Sequence, residues 1–177
     1  MVDPKLRVLI SAAQIQERIR EMGEQISRDY PTDPLQFICI LKGACFFLTD
    51  LARAMTRDVS LDFMGISTYG KGTTSSGEVK VTKDLDISLE DRNVVIVEDI
   101  VDTGVTLTYL RHLLEQRKPR SIKIAALLDK PDRRQRPIHV DYVGFKIPDE
   151  FVIGYGLDYA EKYRNLDDIC VMDKSLL

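Results

Sequence analysis

The chain has 177 residues, of which 44% are hydrophobic and 30% charged, with a formal net charge of -3. That length suits one domain with at most a small appended lobe, and the composition excludes a disordered chain. The weak negative charge gives no global pull toward nucleic acid or an anionic membrane, and no segment approaches the roughly 20 apolar residues needed to cross a bilayer.

The N-terminus, MVDPKLRVLIS, lacks the long apolar run of a secretory signal. Cys39, Cys45 and Cys170 form no CxxC pair, and none has a neighbouring His. An odd count without a secretion signal predicts reduced thiols and a cytoplasmic protein.

Ile15, Ile19, Met22 and Ile26 recur on one helical face, which predicts a helix over residues 12–28. Residues 30–34 break the chain with two prolines. Phe37–Leu41 reads as a buried strand, Ala44–Met55 as a helix and Leu61–Tyr69 as a strand. The segment GKGTTSSGE, residues 70–78, cannot build a core and predicts a mobile loop. A strand resumes at Val79 and Val81. Val94–Val97 is four β-branched residues, the mark of a fully buried parallel strand. Residues 106–116 predict a helix and 122–128 another buried strand. Residues 130–137 form a charged, proline-bounded loop, and short strands follow at 140–145, 151–153 and 169–172. Alternating strands and helices imply an α/β fold with a largely parallel, twisted sheet. Ligands in such folds bind beyond the carboxyl ends of the strands, so the loops after Leu41, Val97 and Leu128 are the places to look.

The most informative segment is VVIVEDIVDTGVTL, residues 94–107. Glu98, Asp99 and Asp102 follow directly on the buried strand, in what reads as a strand-to-helix loop. Like charges about 6 Å apart repel by roughly 3 kcal/mol at an effective dielectric near 20. Such carboxylates need hydroxyl donors, a cation or raised pKa values. A sugar diol, a magnesium ion, or both would satisfy them. Thr103, Gly104, Val105 and Thr106 then open a helix, where backbone N–H groups can cradle a phosphate. The plainer interpretation is a helix capped by Thr or Asp with acids near its positive end. No Walker A string occurs. The spacing of Asp99 and Asp102 also departs from that of dehalogenase-type phosphatases.

This segment resembles the phosphoribosyl-diphosphate-binding motif of the type I phosphoribosyltransferases. The resemblance implies that family's fold, with a small hood lobe built from the chain ends. It implies that Glu98 and Asp99 hold the ribose hydroxyls and that residues 102–106 bind the 5′-phosphate. Val105 stands where many purine-specific members carry Lys or Arg, which removes one side-chain contact.

Four further segments are similar to the 6-oxopurine branch. Lys42-Gly43 matches the pyrophosphate loop, often preceded by a non-proline cis peptide; a plain solvated turn is the alternative. In LLDKPDRR, Lys130 matches the residue that donates to the purine 6-oxygen, while Arg133 and Arg134 read as a basic surface turn. In PDEFVIGYGLDYAEKYR, Phe151 would stack on the base and the Val152 backbone would meet its edge. Asp158 would join Glu98 and Asp99 in binding magnesium, and Arg164 would meet the pyrophosphate. Ordinary alternatives are a core Phe151, an Asp158 helix N-cap and an Arg164–Glu161 pair. Thr68 and Tyr69 would begin a lid over about 67–80, and the hood would comprise 148–177 with the N-terminal segment.

The resemblance thus implies a magnesium-dependent pentosyltransferase of purine salvage. It would join hypoxanthine or guanine to 5-phosphoribosyl 1-diphosphate, giving IMP or GMP and diphosphate. Asp102 would be the catalytic base or proton relay. A homodimer or homotetramer is expected, with no nucleic-acid or membrane partner. The rival from another class is a phosphoribosyl-diphosphate sensor that regulates by binding RNA.

Overall fold

The computed structural model describes residues 6–68 and 79–172. The chain enters through β1 (Leu6–Ile10) and the long helix α1 (Ala12–Asp29). Ser11 opens α1 with a capping box: its hydroxyl accepts from the Gln14 N–H, and the Gln14 side chain accepts from the Ser11 N–H at 2.9 Å. Next come β2 (Leu35–Leu41), α2 (Cys45–Ala54), β3 (Ser60–Thr68), β4 (Val79–Lys83) and β5 (Asn93–Val101). Then follow α3 (Val105–Glu115), β6 (Ser121–Asp129) and β7 (Tyr142–Lys146).

Among the described residues these strands form a six-stranded sheet in the order β4-β3-β2-β5-β6-β7. Neighbours run parallel except β3 and β4, which are antiparallel. The sheet is buried on both faces, which explains the unbroken β-branched run in β5. Val95 and Val97 pack with Ile15, Ile19, Phe47 and Leu51 of α1 and α2. Val94 and Ile96 pack with Leu107, Leu110 and Leu114 of α3 on the other side. A second sheet joins the two ends of the chain: β1, β9 (Ile169–Met172) and β8 (Val152–Ile153) pair antiparallel in the order β1-β9-β8. This three-stranded sheet forms the small lobe that the resemblance implies. No helix among the described residues is long and apolar enough to cross a membrane.

The predicted elements recur with shifted ends. The largest shift matters for the site. The strand expected over 94–97 continues to Val101, because Glu98, Ile100 and Val101 still pair with Ala126, Leu128 and Asp129 of β6. Glu98 and Asp99 therefore lie within a strand, near its carboxyl end, and not in a loop. Backbone pairing with β6 outweighs the low strand preference of the two acids.

One polar cluster staples α1 to the edge of the sheet. The Tyr142 hydroxyl donates to Asp29 Oδ2 at 2.6 Å, and Lys123 Nζ donates to the same oxygen at 3.1 Å. The Tyr142 bond is the main cause that holds the Asp29 carboxyl below its ordinary value, with Lys123 adding to it. A depressed carboxylate pKa contributes stability above its unfolded value, near pH 4, and loses it as pH falls further. Tyr142→Phe should thus cost roughly 1–2 kcal/mol at neutral pH. Chemical denaturation of both chains should show this difference narrowing below about pH 4. A difference that stays constant into acid would place the loss in packing.

Candidate active site at the carboxyl edge of the sheet

The end of β5 and the start of α3 enclose a cavity of about 250 Å³. Its walls include Ile66, Glu98, Asp102, Thr103, Gly104 and Thr106. Gly104 is the helix N-cap with φ 78°, and no side chain among the described residues caps α3. The helix-cap interpretation is therefore corrected: neither Asp102 nor Thr103 serves as N-cap. The Val105 N–H reaches Thr103 Oγ1 only at 3.4 Å. The first turn of a helix leaves its N–H groups without intrahelical partners, and here Gly104, Thr106 and Leu107 of that turn line the cavity.

Glu98 and Asp99 sit at successive strand positions and serve different surroundings. Glu98 lines the cavity with the α3 loop, and its Oε2 is buried without a hydrogen-bond partner among the described residues. Burial first, and then the neighbouring Asp99, push its carboxyl well above the ordinary range. Asp99 leans onto the loop after β2. A Cβ on Gly43 would stand 1.6 Å from Asp99 Oδ2, so only glycine admits the carboxylate there. The preceding Leu41–Lys42 peptide is cis. Burial pushes the Asp99 carboxyl up to about 6, against the Ile100 N–H bond and Arg164, while Asp158 adds to the rise.

The segment after β8 closes over this side. It is not helical: Tyr155, Ala160, Glu161 and Tyr163 take positive φ values, and residues 154–162 fold back through isolated bridges. Asp158 accordingly makes a cap-like bond without a helix, accepting from the Glu161 N–H at 2.8 Å. Arg164 donates to the Gly156 carbonyl at 2.8 Å and pairs with Asp158 at 2.9 Å. Lys42 is exposed and pairs with Glu161 at 3.1 Å. A Cβ on Gly156 would stand 2.1 Å from the Gly43 carbonyl oxygen, so the two loops touch backbone to backbone. The structure thus assembles Lys42, Gly43, Asp99, Asp158 and Arg164.

Lys130 directly follows β6 and is almost fully buried. Its Nζ donates to the Glu150 carbonyl at 2.7 Å and lies 3.7 Å from Asp149. That contact places the ammonium one residue from Phe151. Phe151 remains 37% exposed, unlike a core aromatic, and its ring lies perpendicular to that of Tyr159 at 5.8 Å. Val152 is buried in β8.

Arg133 and Arg134 do not form a mere surface turn. Arg133 Nε donates to Asp102 Oδ1 at 3.1 Å. Arg134 is largely buried and donates to the carbonyls of Val101 and Asp102 and to Asp129. Two residues missed in the sequence also hold the site: the Tyr155 hydroxyl donates to Asp50 Oδ2 at 2.5 Å, anchoring the 154–164 segment to α2. The acidic residue in the apolar run of α2 was the available signal. Thr68 ends β3, while Tyr69 and residues 70–78 lie outside the described residues.

A phosphoribosyl transferase domain model matches residues 11–160. The hypoxanthine-guanine phosphoribosyltransferase of Bacillus subtilis is 52% identical over 167 residues, covering 94% of this chain and 92% of that one. The bifunctional protein TilS/HprT of Listeria innocua is 51% identical over 166 residues, and there the match spans only 26% of the relative's length. A crystal structure of a hypoxanthine phosphoribosyltransferase from Staphylococcus aureus superposes with a TM-score of 0.94 at 47% identity, covering 97% of this chain and 94% of that one. A domain match over most of the chain, close relatives and a shared fold all agree: this chain belongs to the phosphoribosyltransferase family.

Proposed function

We propose that the chain transfers a 5-phosphoribosyl group from 5-phosphoribosyl 1-diphosphate to hypoxanthine or guanine, yielding IMP or GMP and diphosphate. The observation that carries this reading is one continuous sheet edge. It holds an uncapped helix start, a buried carboxylate pair, and a buried lysine beside an exposed aromatic ring.

The donor would lie across the end of β5. The N–H groups of Thr103 to Thr106 would hold its 5′-phosphate, helped by the hydroxyls of Thr103 and Thr106. Glu98 and Asp99 would accept from the ribose hydroxyls, which gives the unpartnered Glu98 Oε2 a donor. Lys42, the Gly43 backbone and Arg164 would face the diphosphate. Phe151 would stack on the purine, with the Val152 backbone at its edge. An ammonium has donors and no acceptor, so Lys130 matches the 6-oxygen of hypoxanthine or guanine and opposes the amino group of adenine.

Asp102 would take the proton from purine N7 as N9 attacks the anomeric carbon and the bond to diphosphate breaks, with inversion. General base help is worth about 10²–10⁴-fold, while positioning two bound substrates supplies roughly 7–11 kcal/mol. Positioning therefore outweighs Asp102. Thr68 and Tyr69 would begin the lid that excludes water.

Magnesium fits the donor set. No three His, Cys, Asp or Glu side chains among the described residues form a metal cluster by themselves. Hard carboxylates at Glu98, Asp99 and Asp158 would hold the ion jointly with substrate oxygens, the usual manner for magnesium. When bound, it would neutralise charge on the departing diphosphate. The free thiols of Cys39, Cys45 and Cys170 suit the reducing cytoplasm.

Mixing the chain with donor, magnesium and each purine base should change the absorbance with hypoxanthine and guanine but not with adenine. Salt-sensitive RNA binding without turnover would instead favour a regulator. Asp102→Ala should lower kcat by about 10²–10⁴-fold while donor binding persists. Near-full turnover would remove the base assignment. Loss of a base-stacking ring costs about 1–3 kcal/mol, so Phe151→Ala should raise the KM for the purine roughly 5- to 150-fold. The donor KM should change far less, and equal rises in both would argue that Phe151 merely supports the fold. Titration calorimetry should find weak magnesium binding to the free chain and tighter binding with donor present.

A further inference from the structure

Asp102 does not stand alone at the mouth of the site. Its Oδ1 accepts from Arg133 Nε at 3.1 Å, and among the described residues its Oδ2 has no hydrogen-bond partner. The same guanidinium reaches Asp149 Oδ2 at 3.5 Å, on the segment that leads into Phe151. Lys130 lies 3.7 Å from the other oxygen of Asp149. Two acids and two bases thus alternate from the β5–α3 loop to the base-binding segment.

The position of Arg133 is fixed by its neighbours. Its own N–H closes the turn onto the Lys130 carbonyl at 3.1 Å. Arg134 binds the Val101 and Asp102 carbonyls, and the N–H groups of Gln135 and Arg136 both donate to the Thr103 carbonyl. The loop after β6 therefore runs alongside residues 101–103, and Arg133 projects from a clamped backbone.

The pair contributes little to the fold. Both side chains are more than 40% exposed, at 46% and 42%, and exposed ion pairs are worth about 0–1 kcal/mol. Its chemical consequence is larger. A guanidinium is a permanent donor with no acceptor, so whichever Asp102 oxygen it meets is held as its acceptor. By occupying one oxygen it orients the second.

We propose that Arg133 is a positioning residue for Asp102, tying one carboxylate oxygen back so that the other faces the purine imidazole. This rests on the reading of Asp102 as the base. The residue does not touch the substrate; it acts through Asp102, with Asp149 holding its far end.

Steady-state kinetics of Arg133→Leu, Arg133→Lys, Asp102→Ala and the Asp102→Ala/Arg133→Leu double variant test this assignment. Losing one charge-assisted bond should lower kcat of Arg133→Leu by roughly 10- to 100-fold, with the donor KM unchanged. Arg133→Lys, which retains the charge, should recover part of that loss. The decisive comparison is the double variant, which should be no slower than Asp102→Ala alone. Unchanged kcat in Arg133→Leu would overturn the proposal. So would an equal loss in the Asp102→Ala background, which would mean that Arg133 acts through Asp149 or the fold. Absence of transfer by the unsubstituted chain would instead overturn the assigned reaction, and the role of Arg133 with it.

Discussion

Glu98 and Asp99 lie near the carboxyl end of a strand buried between two neighbours and covered on both faces by helices. Two adjacent carboxylates in that position lack the water that would normally stabilise their charge. Burial raises both pKa values, to about 6 for Asp99. Successive strand residues face opposite ways, so the pair addresses two sides of the strand end. Glu98 turns to the cavity at the start of α3. Asp99 turns to Gly43, where the missing Cβ makes room for it. The remaining parts of the site answer this constraint: an uncapped helix start on one side, and the 42–43 loop with Arg164 on the other.

The wall on the Asp99 side is held by a graded set of contacts. At its base, the buried Tyr155 donates to Asp50, which also accepts from Gln16 at 2.8 Å. At mid-depth, Gly156 rests on the Gly43 carbonyl. At the rim, Lys42 and Glu161 pair with two-thirds of each side chain exposed, at 68% and 66%. Bonds to a buried hydroxyl outweigh exposed ion pairs, whose net worth is about 0–1 kcal/mol. The base of the wall is thus held more strongly than its rim.

Much of the scaffold was legible in the residues. Hydrophobic steps of three and four gave α1, and the β-branched run gave β5. The resemblance of residues 94–107 to a phosphoribosyl-diphosphate-binding motif pointed to the segment where the folded chain forms a cavity. Other features misled. The acids after Val97 suggested a loop, but cross-strand pairing carried β5 to Val101. AEKYR suggested a helix after Asp158, but the loop geometry set by Gly154 and Gly156 produced successive turns. Arg133 and Arg134 resembled a solvated turn because the groups of Val101 and Asp102 that they bind lie far from them in the chain, beyond any local pattern.

Sequence alone determined what is local and periodic: which segments are helices or buried strands, where carboxylates concentrate, and which loops could cradle a phosphate. It did so because apolar periodicity and backbone preference act over a few residues. Tertiary structure alone decided how those loops meet. It placed Gly43 against Asp99, Lys130 beside Phe151 and Arg133 on Asp102, contacts that span long stretches of chain. The acidic segment therefore supplies the charges by itself. Their desolvation, orientation and partners come from strands and loops that only the folded sheet brings to one edge.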